Sequence, residues 1–213
     1  MSLRLKLILF LLPLLLLPVV ITGWLAYQTL SDNQYAQIRR EAESTLAVHA
    51  QVYERLRNNS ETALRALQSY PAIQRYLLTE DEEVRYSLLQ PAVLEVMENW
   101  QRLYPEIQEI RILLPDGYED TRRTNRFIPN LTTDEAGTEY FHEWQNLKPG
   151  KVASQTLINP DTGQPVLMLG IKVVIREAGH DPIGMDASLR GYLGITVSLQ
   201  NYLGQLANRR VGD

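Results

Sequence analysis

The sequence predicts an α+β fold in which an N-terminal transmembrane helix leads into a long helix packed on one antiparallel sheet of about five strands. Three observations point there. An uncharged apolar run fills most of the first thirty residues, and a stretch free of proline and glycine with a helical repeat follows over 30–70. Beyond Pro105 the apolar period shortens to strict alternation. Long helices, two strands, a short helix and three more strands, in that order, make an α+β layout.

The segment from Leu7 to Tyr27 carries no charge and is dominated by Leu, Ile, Val and Phe. A helix of that length spans about 30 Å, the thickness of a bilayer's hydrocarbon core. Pro13 and Pro18 are tolerated in such helices, Trp24 and Tyr27 suit the interface, and Arg4 and Lys6 place residues 1–6 in the cytoplasm. A cleaved signal peptide would share the basic start, but its apolar core is usually about 7–15 residues and ends at a small-residue site. The run is longer, and no such site follows. Residues 7–27 therefore read as an uncleaved anchor in a membrane, with everything beyond exported in a single pass.

Composition removes several function classes. The 213 residues hold 21 basic and 25 acidic side chains, a net charge of −4, with none of the clustered basic surface that nucleic-acid binding needs. With no cysteine there is no disulfide framework, thiol nucleophile or thiolate metal site. No glycine-rich phosphate loop, nucleophile elbow or two-histidine zinc helix is present, so the sequence supports neither catalysis nor a cofactor. Glu139, His142 and Glu143 share a helical face, a spacing more typical of surface than of a metal site.

In the long helix, Ile38, Ala42, Thr45, His49, Val52, Leu56, Ala63, Leu67 and Tyr70 recur mostly at three- and four-residue steps, and Leu46, Tyr53 and Leu64 widen the stripe. The pattern fits a parallel homodimer and fits packing within one chain equally. Pro71 ends or kinks the helix. Thr79 with Glu82 reads as a capping box opening a second helical stretch, kinked at Pro91 and stopped at Pro105, so that 28–104 is helical.

Ile110, Ile112 and Leu114 then alternate along a strand, Pro115-Asp116-Gly117 makes a turn, and Tyr118–Arg123 returns. A short helix is expected at 134–147. Strands follow at 151–158, 165–176 and 191–198, with a loop at 177–189 and a closing helix at 199–207. One sheet face carries Leu167, Leu169, Ile171, Val173 and Ile175 with Leu193, Ile195 and Val197, apolar enough to meet the long helix. The other mixes Arg111, Leu113, Met168, Gly170, Lys172, Tyr192, Gly194 and Thr196, which suits either a polar cavity or a solvated surface.

The stretch Ile110–Arg122 (IRILLPDGYEDTR) resembles the opening hairpin of extracytoplasmic Cache domains, the PAS-like sensor modules of bacterial receptors. Tyr140-Phe141 resembles the aromatic pair of that family's helix. Gly150–Ser154 is similar to its "gxvxxS" strand, Asn159–Val166 (NPDTGQPV) to its "DxxTGxPV" hairpin, and Gly191–Ser198 to the last strand of the membrane-distal module. The resemblance covers roughly residues 28–208.

It implies a PAS-like sensor sheet and cap over 105–208, with a small-molecule pocket between the sheet and a cap at about 125–147. Carried over residue by residue, the ligand-binding candidates are Arg111, Lys172 and Tyr192 on strands, Tyr140 and Trp144 on the cap, and Ser154. Arg111 or Lys172 would meet a ligand carboxylate, and Tyr140 and Trp144 would form an apolar wall. Two departures weigh against the amino-acid-sensing branch: Thr138 precedes Tyr140-Phe141 where an arginine is expected, and Asn159 replaces an aspartate.

The implied role is the ligand-sensing part of a membrane receptor that dimerises through its long helix. Its output, a diguanylate cyclase or histidine kinase, would lie beyond a membrane-proximal module beginning at 209–213. A bitopic envelope scaffold using the long helix to bind partners is the alternative.

Overall fold

The computed structural model describes residues 3–176 and 187–208. Two units compose the chain, one taking in residues up to Gln51 and the other running from Val52 to Arg210. Helix α1, Leu3–Gln68, is continuous through the predicted anchor and the predicted long helix. Among the described residues no helix is long and apolar enough to cross a membrane. The side chains of 7–17, half of the predicted anchor, lie outside the described part, as do residues 177–186 of the predicted loop at 177–189 and the segment 209–213, while 187–189 of that loop are strand instead.

The second unit is built on one antiparallel sheet of five strands: β1 Ile107–Leu113, β2 Glu119–Thr124, β3 Val152–Ile158, β4 Pro165–Arg176 and β5 Ala187–Ser198. Their spatial order is β2-β1-β5-β4-β3, so the last strand lies at the centre. Register follows from the pairs Arg111 with Gly194, Gly170 with Gly194 and Ala153 with Gly170. Both predicted turns close as expected. Gly117 N–H donates to Leu114 O at 3.0 Å, and Gly163 N–H to Asn159 O at 2.8 Å. Gly117 has φ 99°, and a Cβ there would stand 2.8 Å from the Ala136 backbone, so the turn needs glycine twice over.

The apolar sheet face meets helices as predicted. Leu167, Leu169, Ile171, Val173, Leu193, Ile195 and Val197 share a core with Ala63, Leu64 and Leu67 of α1, Ile73, Tyr76 and Leu77 of α2 (Pro71–Leu78), and Val93 and Met97 of α4 (Gln90–Leu103). Gln101 on α4 donates through Nε2 to Gln108 O at 3.0 Å, tying that helix to β1.

Three local expectations change. Pro71 not only ends α1 but opens α2, because a first-turn proline has no helical N–H to lose. Thr79 therefore closes α2, its hydroxyl donating to Arg75 O, while Asp81 caps the next turn, α3 (Glu82–Val84), by accepting from Val84 N–H at 3.1 Å. The expected kink at Pro91 is instead a π-helical turn at Arg85–Leu89, which leaves Pro91 in the first turn of α4. The cap helix α5 is shorter than expected, Glu139–Gln145, because Asp134 accepts from Ala136 N–H and Glu135 N–H bonds Gly117 O, holding 134–136 against the hairpin. A closing helix, α6, runs Gln200–Asn208.

Leu67 is fully buried, and Leu103 on α4 is 72% exposed. Urea unfolding should find Leu67→Ala destabilised by about 2–5 kcal/mol and Leu103→Ala changed by no more than about 0.5 kcal/mol.

Candidate functional site

The second sheet face is not solvated. It carries Glu109, Arg111 and Leu113 on β1, Tyr192, Gly194 and Thr196 on β5, and Met168 and Gly170 on β4, all buried beneath α5 and the loop before it. Strand β1 is buried along its whole length because helices cover one face and the cap covers the other. Its two charged residues, Glu109 and Arg111, are thus inside the protein.

Thr138 starts α5 by accepting from Phe141 N–H, and the helix turns Tyr140, Phe141 and Trp144 onto the sheet. Trp144 lies flat over Gly170 and Gly194, where any Cβ would overlap its indole. Tyr140 and Trp144 are 5.0 Å apart between ring centroids, and Phe141 meets the edge of Tyr192 at the same separation. These aromatic contacts form a second core that binds the cap to the sheet.

Beside the aromatics lies a buried set of charges. Arg111 donates from Nη2 to Glu109 Oε2 at 2.5 Å and from Nη1 to Glu135 Oε1 at 3.1 Å, with Glu119 Oε2 a further 3.7 Å ion-pair partner. Arg122, opposite Arg111 on β2, reaches Glu109 Oε2 at 2.8 Å and Asp161 Oδ2 at 3.0 Å. Asn159 Nδ2 donates to Glu109 Oε1 at 2.7 Å. The cap loop joins through Leu131 N–H to Asp161, Asn130 to Glu119 Oε1, and Pro129 O accepting from Arg122.

These surroundings push the acids in opposite directions. Burial alone would raise Glu109, but Arg111 and Arg122 together hold it below the usual carboxylate range. Burial wins at Glu119, which stands above that range despite Arg111, and Glu135 pushes the same way. Burial disfavours charge on Arg111 as well, yet Glu109 and the other carboxylates leave its guanidinium more firmly protonated than usual. The Tyr140 phenol is raised, first by burial, and stays neutral.

Of the six predicted ligand residues, the structure brings four together: Arg111, Tyr140, Trp144 and Tyr192. Lys172 sits at their margin, its Nζ donating to Gln145 O at the end of α5. Ser154 does not join them. It pairs with Leu169, so it faces the helix side, like Thr156, whose hydroxyl meets Tyr53. Sequence reasoning missed Glu109, Glu119, Arg122, Glu135 and Asp161. Period-two spacing does place Glu109 on the face of Arg111, but the sequence carries no sign of which cap residue meets them. A cleft of about 180 Å³ lined by Glu98, Gln101, Arg102 and Arg123 lies at the α4–β2 edge, where Glu98 already pairs with both arginines.

No protein-family profile and no curated protein matches the chain. Solved structures do. The sensor domain of the Vibrio cholerae histidine kinase DctB matches at TM-score 0.65 and 12% identity, over 83% of this chain and 62% of that one. A domain of a sensory box/GGDEF family protein from Vibrio parahaemolyticus matches at 0.60 and 22%, over 82% and 64%. The ligand-binding domain of the Campylobacter jejuni chemoreceptor Tlp3, in complex with 4-methylisoleucine, matches at 0.55 and 16%, over 76% and 59%. The chain spans about three-fifths of the length of these structures. It has the fold of extracellular sensor domains of bacterial receptors, as the Cache resemblance implied.

Removing the Glu109 charge takes a shared carboxylate from Arg111 and Arg122, which keep Glu135 and Asp161 respectively, so Glu109→Gln should lose about 1–3 kcal/mol in denaturant unfolding. Glu119 has the opposite sign. The folded protein holds its proton more tightly than the unfolded chain, so its ionisation costs stability as pH rises through its raised folded value. Glu119→Gln should melt above wild type at pH 7, with the gap closing as acid protonates the wild-type side chain. Gly170→Ala should cost about 1–3 kcal/mol by overpacking, and adding Trp144→Leu should recover much of that loss.

Proposed function

We propose that this chain is the extracytoplasmic ligand-sensing part of a bacterial transmembrane signal-transduction receptor, with the ligand received under the cap on the Arg111 face of the sheet. The observation that carries the reading is the joining of a buried ionic cluster to an aromatic wall at the interface of sheet and cap, within a fold that sensor domains share. Monomeric scaffolds gain little from six ionic side chains in a core, since desolvation offsets their attraction. A site that exchanges internal partners for a ligand's groups has a use for them.

In this reading residues 7–27 are the membrane anchor, and α1 forms a parallel homodimer through the stripe that begins at Ile38. Trp144, Tyr140 and the bonds from the 129–135 loop to Arg122, Asp161, Glu119 and Arg111 hold the cap down. A ligand competes for those partners and shifts the population toward a displaced cap, which alters how the sheet bears on α1. The output is a diguanylate cyclase or histidine kinase on the same polypeptide. Amino acids bind the Tlp3 domain, so they belong in any screen alongside other metabolites.

The test is a thermal-shift screen of the full chain in detergent against small metabolites. At least one chemical class should raise the melting temperature, by the mass-action stabilisation a native-state ligand confers. Trp144→Ala should abolish the response. A cooperative transition that no compound moves would sink the reading.

A further inference from the structure

The charge balance under the cap is uneven. Glu109, Glu119, Glu135 and Asp161 are four carboxylates around two guanidinium groups, those of Arg111 and Arg122, leaving an excess of two negative charges inside the protein. The side chains of Arg111, Glu109, Glu119, Glu135, Asp161 and Arg122 are all at least nine-tenths buried. Cations on the flanking segments do not correct the balance, because Lys172 is held at Gln145 O and Arg126 at Gln164.

An independent observation lies within the set. Glu119 Oε2 has no hydrogen-bond donor, although its side chain is only 6% exposed and its other oxygen accepts from Asn130. A buried carboxylate oxygen without a donor is costly unless something brings one. Tyr140, Trp144 and Tyr192 supply aromatic surface next to these acids, and ring faces attract organic cations. Arg111 Nε also lacks an acceptor, which a hydroxyl or carbonyl oxygen satisfies without adding negative charge.

Resting on the sensor reading above, we propose that the ligand received under the cap is an amine: a molecule with at least one ammonium group, directed at Glu119 and Glu135, and no carboxylate. The sequence-based expectation of a ligand carboxylate on Arg111 fails on this balance. Both terminal nitrogens of Arg111 already face Glu109 and Glu135, and a further anion would enter where acids are in excess. An ammonium donates to Glu119 Oε2 and reduces the excess in the same step.

The experiment is calorimetric titration and thermal shift of the full chain in detergent at pH 7. The probes are ethanolamine, 1,4-diaminobutane and choline, set against acetate, succinate and L-valine. At least one amine should bind and the carboxylates should not. Glu119→Gln, which keeps the side-chain shape and should fold more stably than wild type, should bind that amine roughly tenfold more weakly, the cost of one charge-assisted contact. Binding of acetate, succinate or L-valine without any amine would overturn the amine inference and leave the sensor reading standing. Unchanged amine affinity in Glu119→Gln would overturn it too. If no probe binds and only acidification stabilises the fold, the excess charge is a proton site and the amine inference falls, while the sensor reading rests on the wider metabolite screen.

Discussion

The ion pair between Glu109 and Arg111, two residues apart on a strand covered on both sides, is the constraint on which the rest of the structure depends. A charged pair in that position is tolerable only if most of its remaining lone pairs and protons find partners, and here Arg111 Nε goes without one. Arg122 and Asn159 complete Glu109, and Glu135 completes the second terminal nitrogen of Arg111. Each partner comes from a different part of the chain: the neighbouring strand, the β3–β4 turn and the cap loop. One pair thus dictates where three separate segments must lie, and the cap is held by charge as much as by its aromatic side chains.

The two faces of the sheet divide the labour. The helix face is apolar and shared with α1, α2 and α4, and its cohesion comes from burial. At its β2 edge, Asp120 accepts from the Tyr76 and Tyr86 hydroxyls at 2.6 and 2.8 Å and pairs with Arg85, so the π-helical turn is fastened there. The cap face combines an apolar part, Leu113, Ala153, Met168 and Tyr192, with buried charges. Two glycines on neighbouring strands make a flat seat that Trp144 fills, and the charges occupy what is left. The helix face keeps its polar side chains at its edges, Asp120 on β2 and Ser154 and Thr156 on β3, whereas the cap face sets buried charges beside its aromatic core.

Much of the architecture was legible in the chain. Alternation along 165–176 and 191–198 identified β4, the core of β5 and the face that meets α1, because a half-buried strand must repeat every second residue. The two turns were legible from Asp-Gly and Asn-Pro-Asp-Thr-Gly. Thr79 misled because a Thr-x-x-Glu pattern suits both the end of one helix and the start of the next, and only the existence of α2 decides between them. Ser154 misled because a motif match names a residue without its face. Arg111 was found, but its partners Glu119 and Glu135 were not, because Glu135 lies twenty-four residues away in a loop with no period.

By itself, the sequence determined which segments become helix and strand and which strand face is apolar, and its resemblance to Cache domains implied a fold of the sensor type. The first two follow from local periodicity, turn chemistry and the order of elements. The tertiary structure decided that β1 is buried on both faces, that Arg111 is enclosed by carboxylates, and that Trp144 rests on Gly170 and Gly194. Each of these depends on the strand order β2-β1-β5-β4-β3 and on the cap folding back over it. Contacts between residues distant in the chain leave no periodic trace, so the charge balance at the site came only from the folded arrangement.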